Sequence, residues 1–265
     1  SPFILRRLKR DVGQDMPERT DIRLAVELSS AERKLYDELR RAVLSKISKT
    51  DNAPGATRGT QENKSRFDVL AAITRLRQAA CHPQLYQPHT TTKSTKVAIL
   101  KDHLEGLVEE GYAALVFSQF TSLLGLVREE LEQTDLRIAY LDGSLSAVQR
   151  QKVVSDFQDG KYDVFLLSIK AGGVGLNLTR ANTVFLLDPW WNPAVEDQAT
   201  DRAHRIGQKE PVTVYRLVAE GTIEEAIYEL HEEKRALLDG VLSETDAQSG
   251  RALSVDELKG LIFGE

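Results

Sequence analysis

Arg202 and Arg205 stand three positions apart in the segment EDQATDRAHRIGQ, residues 196–208. Gln198 precedes Arg202 by one helical turn. Side chains three or four residues apart share a helix face, so the helical pattern over 193–205 predicts both guanidiniums and the Gln198 amide on one side. Two planar guanidinium forks on one face match the oxygens of a phosphate chain. Glu196, Asp197 and Asp201 lie in the same stretch, so a helix of surface ion pairs is the alternative, and the segment alone leaves both open.

Two other segments carry chemistry. In SIKAGGVGLNL, residues 168–178, Gly172, Gly173 and Gly175 let a backbone approach a ligand closely, and Lys170 adds positive charge. A tight strand-to-helix turn would use the same glycines. No Gly-Lys-Ser or Gly-Lys-Thr follows them, so the loop is not a P-loop. In DPWWNP, residues 188–193, two prolines fence Trp190 and Trp191. Core packing accounts for Trp190. A tryptophan at a loop tip can also insert against a nucleic-acid groove or stack on a base. Cys81 and His82 are too few to hold zinc, and they read as packing residues.

Each of these segments follows or adjoins an expected strand. Near-continuous apolar runs at 113–118, 136–141, 163–168, 183–187 and 212–218 read as strands buried on both faces of a parallel sheet. Helical patterns at 96–110, 121–133, 146–158 and 193–205 alternate with them, Ser146 and Gln149 forming a capping box. This rhythm predicts a doubly wound parallel sheet, with the loops that follow the strands gathered on one edge. Residues up to about 95 read as helical. Ser29 and Glu32 cap one helix, and Phe67, Leu70, Ile73 and Leu76 line another. Polar residues 48–64 read as a flexible loop and 87–95 as a linker. Thr222 with Glu225 caps a later helix, and Ser254 with Glu257 a short one carrying Leu258 and Leu261. The expected division is therefore a helical N-terminal sub-domain over 1–95, an α/β lobe over 96–240 and a helical tail over 241–265.

Composition bounds the function. With 265 residues, 41% of them hydrophobic, the chain can build a substantial core. Its apolar runs are too short to span a bilayer. One cysteine permits no internal disulfide and fits a reducing compartment. A net charge of −5 argues against a wholly basic nucleic-acid coat but allows a local basic groove. Arg6, Arg7, Lys9 and Arg10 cluster near a start that is not Met, so the sequence reads as part of something longer.

Taken in order, these segments resemble the C-terminal RecA-like lobe of the Swi/Snf-type ATPases among superfamily-two helicases. VFSQF (116–120) looks like motif IV, LDGS (141–144) like the DNA-contacting block after it, and SIKAGGVGLNL like motif V. DPWWNP with QATDRAHRIGQ looks like motif VI and its lead-in. RLRQAACHP (75–83) resembles a stretch that typifies that family rather than helicases in general. PFILRRLKRDV (2–12) resembles the inter-lobe linker where the chain leaves the first lobe, and the likeness runs from the first residues to about residue 235.

The resemblance implies arginine fingers at Arg202 and Arg205, reaching ATP and Mg2+ held by the N-terminal RecA-like lobe. It implies nucleotide-side roles for Gln198, Gly175 and Asn177, and DNA contacts by Ser118, Gln119, Ser144, Lys170 and Trp191. Lys170 stands where many relatives carry Arg, which keeps the charge without the fork. The chain carries neither the P-loop nor an Asp-Glu-x-His segment, both of which belong to the first lobe in that family. The activity implied is ATP-driven translocation on double-stranded DNA that remodels protein–DNA complexes. The alternatives are a lobe that separates strands and a lobe kept for docking. The implied location is the nucleoid in a bacterium, the favoured source, or the nucleus in a eukaryote.

Overall fold

The computed structural model describes residues 16–51, 58–170, 176–190, 192–241 and 260–262. Its centre is a six-stranded, wholly parallel sheet in the order β1-β6-β5-β2-β4-β3. The strands are β1 (Arg19–Val26), β2 (Ala114–Ser118), β3 (Ile138–Leu141), β4 (Val164–Ser168), β5 (Thr183–Leu186) and β6 (Val212–Ala219). All residues of β2, β4 and β5 are buried. That is why they read as unbroken apolar runs rather than alternating ones.

Helices cover both faces. On one face, α6 (Ala147–Gln158) and α7 (Pro193–Thr200) join Leu115, Phe117, Phe165 and Leu167 in a single apolar cluster. On the other, α4 (Thr95–Glu109) and α5 (Thr121–Leu131) cover Ala114, Val116, Leu166 and Phe185. Strand alternation accounts for the split, since successive side chains point to opposite faces. Ser146 and Gln149 form the expected capping box at the start of α6.

A third cluster builds the helical part. Tyr36, Leu39 and Val43 of α1 (Ser30–Asp51) meet Val69, Ile73 and Leu76 of α2 (Arg58–Cys81). Ile223 and Ile227 of α8 (Ile223–Val241) complete it, joined by Ile262. Ser29 and Glu32 cap α1 reciprocally, with backbone-to-side-chain distances of 2.9 and 3.3 Å. The Arg40 Nε donates to the Ile262 carbonyl at 3.0 Å, tying that segment to α1. A single turn, α3 (Pro83–Tyr86), follows α2. His82 caps it by accepting from the Gln84 N–H at 3.1 Å.

Three expectations need correction. The first 95 residues are not all helical: β1 lies among them and pairs with β6 along its whole length. It is an edge strand with Arg19, Thr20, Asp21 and Arg23, so it shows no apolar run. The loop expected over 48–64 is shorter, because α1 continues to Asp51 and α2 begins at Arg58. The helix expected over 193–205 ends at Thr200. The Ser254–Glu257 cap lies outside the described residues. Among those residues no helix is long and apolar enough to cross a membrane.

Candidate functional site

In a parallel sheet every strand ends on the same edge, and ligands bind where the strand order reverses. Here that place is between β2 and β5: the chain leaves β2 toward β3 on one side of the sheet and leaves β5 toward β6 on the other. Ser118 and Ser168 face each other in register at the ends of β2 and β4. The loop after β5 begins at Leu187 beside them, its N–H donating to the Phe117 carbonyl at 3.0 Å.

Asp188 organises this edge. Its buried carboxylate accepts from the Ser118 hydroxyl, from the Gln119 N–H at 3.3 Å and from the Gln119 amide at 2.5 Å. Burial raises its pKa, and the Arg77 charge, 3.7 Å away, only partly offsets that cost. Arg77 arrives from α2 and is itself buried. It donates to the Gln119 side-chain oxygen at 3.1 Å and to the Pro189 carbonyl, and it lies 5.6 Å over the Phe120 ring. Arg77 thus joins RLRQAACHP to VFSQF and to DPWWNP. Nothing local in the sequence marks that role.

A second buried pair flanks the first. Lys96 of α4 donates to Glu224 of α8 at 2.5 Å and to the Leu187 carbonyl at 2.8 Å. Burial works to lower the Lys96 pKa, but the Glu224 charge and hydrogen bond, with Cys81 and Asp188 nearby, together outweigh it and the net shift is upward. The Cys81 thiol donates to the same carboxylate at 3.1 Å, and burial pushes its pKa well up. Cys81 is therefore a core residue, as expected.

The two arginines of the 196–208 segment are not equivalent. Asp201 caps α7, and the chain then turns so that the Arg202 carbonyl accepts from the Leu178 N–H at 3.0 Å. Arg202 is buried with its guanidinium 5.6 Å over the Phe117 ring, and burial lowers its pKa to about 10. Arg205 is exposed. They do not share a helical face as the spacing implied, because the helix ends before either residue. Gln198 is exposed on α7, and Asn177 is exposed after β4.

His204 contacts the Pro17 carbonyl at 2.8 Å, tying the segment to the start of β1. Gln208 is buried and donates to the Ala181 carbonyl at 2.8 Å. Gly207 takes a φ of 104°, a left-handed conformation that favours glycine. His204 and Gln208 of the HRIGQ ending are therefore structural anchors on either side of Arg205.

The remaining candidates distribute as follows. Ser118 has no exposed surface, so the direct DNA contact implied for it is not open in this conformation. Its hydroxyl holds Asp188 instead. Ser144 is exposed, and its hydroxyl and N–H both donate to Asp142, fixing the turn after β3. Lys170 is exposed with its ammonium 5.9 Å over the Trp190 ring. Trp190 is part-buried against the core, as expected, and its N–H donates to Glu196 at 2.8 Å. Gly175 and Trp191 lie outside the described residues.

This edge and sheet define a RecA-like lobe of the helicase-type motors. Residues 95–207 match the helicase conserved C-terminal domain, and residues 1–85 match the SNF2-related domain. An ATP-dependent helicase of Mycoplasma pneumoniae, itself uncharacterised, is 36% identical over 97% of this chain and 24% of its own length. The chain thus spans about a quarter of that relative. The Sulfolobus solfataricus SWI2/SNF2 ATPase core in complex with double-stranded DNA superposes with a TM-score of 0.72 at 31% identity, covering 98% of this chain and 54% of that one. The C-terminal domain of that ATPase superposes at 0.69 with 27% identity, covering 92% of this chain and 98% of that one. The chain belongs to the SNF2 family of ATPases and corresponds to their C-terminal lobe.

Proposed function

We propose that this chain is the second motor lobe of an ATP-dependent translocase on double-stranded DNA, one that remodels protein–DNA complexes. In this reading Arg202 and Arg205 serve as arginine fingers. They act on ATP, with Mg2+, held mainly by the P-loop lobe of the same protein. Gln198, Gly175 and Asn177 line the nucleotide side. Gln119, Ser144, Lys170 and Trp191 form the duplex side, and Ser118 holds the Asp188 carboxylate behind them.

The observation that carries the reading is the convergence at one sheet edge. The loops after β2, β3, β4 and β5 all leave from it, and each carries at least one of these residues. The solved ATPase core with double-stranded DNA supports duplex DNA as the partner. The chemistry follows from positioning. Lobe closure would bring a guanidinium onto the phosphate being transferred, where it offsets developing charge. Opening and closing, with the edge gripping the backbone, would then move the lobes along the duplex. A bacterial source is in keeping with the Mycoplasma relative.

The test is steady-state ATP hydrolysis by the full-length protein, with and without duplex, beside a strand-displacement assay. Duplex-stimulated turnover without strand separation is expected. Turnover indifferent to DNA removes the proposal, and efficient strand separation replaces it with a helicase.

A further inference from the structure

The segment leading into Trp191 is clamped from outside at four successive residues. The Leu187 carbonyl accepts from Lys96 of α4 at 2.8 Å. The Asp188 carboxylate is taken by Ser118, Gln119 and Arg77. The Pro189 carbonyl accepts from Arg77 of α2. The Trp190 N–H donates to Glu196 of α7 at 2.8 Å, and Glu196 is in turn held by Arg216 at 3.1 Å. A surface loop that needed only to connect β5 to α7 would not require so many buried charges, each expensive to desolvate.

Arg77 is the part of this clamp that reaches furthest across the molecule. Its α2 packs in the helical cluster with α1 and α8. Its guanidinium meets the loop after β2 at Gln119 and Phe120, and the loop after β5 at Asp188 and Pro189. One planar fork therefore fixes two edge loops relative to each other and to the helical sub-domain. We propose that Arg77, paired with Asp188, is a positioning residue that holds the Gln119 amide and the Asp188–Trp190 segment in the arrangement needed to engage duplex DNA.

The proposal rests on the reading of this edge as a duplex-binding one. Arg77 and Asp188 are buried and would not themselves touch DNA. Their effect would be on how strongly a duplex stimulates turnover, with no effect on nucleotide binding.

The pair also lends itself to separating positioning from mere stability. Removing one partner leaves an uncompensated buried charge and destabilises strongly, whereas replacing both by uncharged groups of similar volume is often neutral. Asp188 fits that rule, because burial raises its pKa despite the neighbouring Arg77.

The experiment uses the full-length protein and a blunt DNA duplex of mixed sequence. Basal hydrolysis, the KM for ATP and the half-saturating duplex concentration are measured for wild type, Arg77→Lys and the double variant Arg77→Met with Asp188→Asn. Thermal melts accompany each. In Arg77→Lys the charge stays beside Asp188 but the fork is lost. Basal rate and ATP KM should hold while the half-saturating duplex concentration rises roughly tenfold, within the range of coupling between contacting residues. The double variant should melt like wild type yet stay weak toward DNA. If it regains wild-type duplex response along with its stability, the pair only supports the fold and the proposal is overturned. A wild type unstimulated by duplex removes the functional reading and this proposal together. A stimulated wild type with unchanged variants removes this proposal alone.

Discussion

Arg202 lies buried with its guanidinium over the Phe117 ring, while Arg205, three residues further on, is exposed. Two arginines of one motif thus sit in opposite environments, and substitutions at them should separate. Arg205→Ala should leave stability within about 0.5 kcal/mol of wild type, as exposed positions usually do. Arg202→Ala removes a buried apolar stem and a ring contact, and should cost roughly 1–3 kcal/mol. Thermal melts of the two variants side by side check this, and equal losses would contradict it.

Turnover should fall with Arg205 even though stability does not. An arginine finger contributes roughly 10³–10⁵ in rate, so Arg205→Ala in the full-length protein should abolish duplex-stimulated hydrolysis with little change in ATP affinity. Arg205→Lys should fail as well, because a point charge lacks the planar fork. The isolated chain, without a P-loop, should show no hydrolysis above background. A surface ion pair would contribute only about 0–1 kcal/mol, so turnover of Arg205→Ala within a few-fold of wild type would remove the finger assignment.

Trp191→Ala in the full-length protein should leave basal ATP binding near normal and reduce the coupling of hydrolysis to movement on DNA. If Trp191 is instead a core residue, the variant loses roughly 3–5 kcal/mol and its melting temperature drops. Melts paired with a translocation assay distinguish the outcomes.

The isolated chain carries a net charge of −5 and, in the proposed reading, only one side of the duplex-binding groove. Its binding to duplex should be weak, indifferent to sequence and steeply weakened by salt, as expected when the contacts are to phosphates. Titrations at several salt concentrations with two unrelated duplexes measure this. A flat salt response or a preferred sequence would count against the proposed contacts.

Acid should loosen the start of α8. The Gly221 N–H, 2.8 Å from the Glu225 carboxylate, holds its pKa below the ordinary 4.5, and Arg23 adds to the effect. A carboxylate depressed in the folded state stabilises it above the unfolded pKa, and that contribution is lost as pH falls through the folded value. Glu225→Gln should therefore melt lower than wild type at neutral pH, and the gap should close as the pH drops below 4.5. A gap independent of pH would mean that the carboxylate charge plays no part.

Much of this protein is written in short-range patterns. The runs that became β2, β4 and β5 were legible because burial on both faces demands apolar residues at consecutive positions. The cap at Ser146 was legible because its partner, Gln149, lies one turn away. The motif arginines and the tryptophan loop were legible as residue types. Strand β1 was not, since an edge strand paired only with β6 can carry Arg19, Asp21 and Arg23. The end of α7 at Thr200 was also hidden, because the turn after it is stabilised by the distant Leu178 N–H. Only the folded chain brings Arg77 to Asp188 and Pro189, more than a hundred residues away, or Lys96 to Glu224. Periodicity and capping act over a few residues and leave their trace in sequence. A buried ion pair depends on which elements meet in space, so its trace exists only in the tertiary structure.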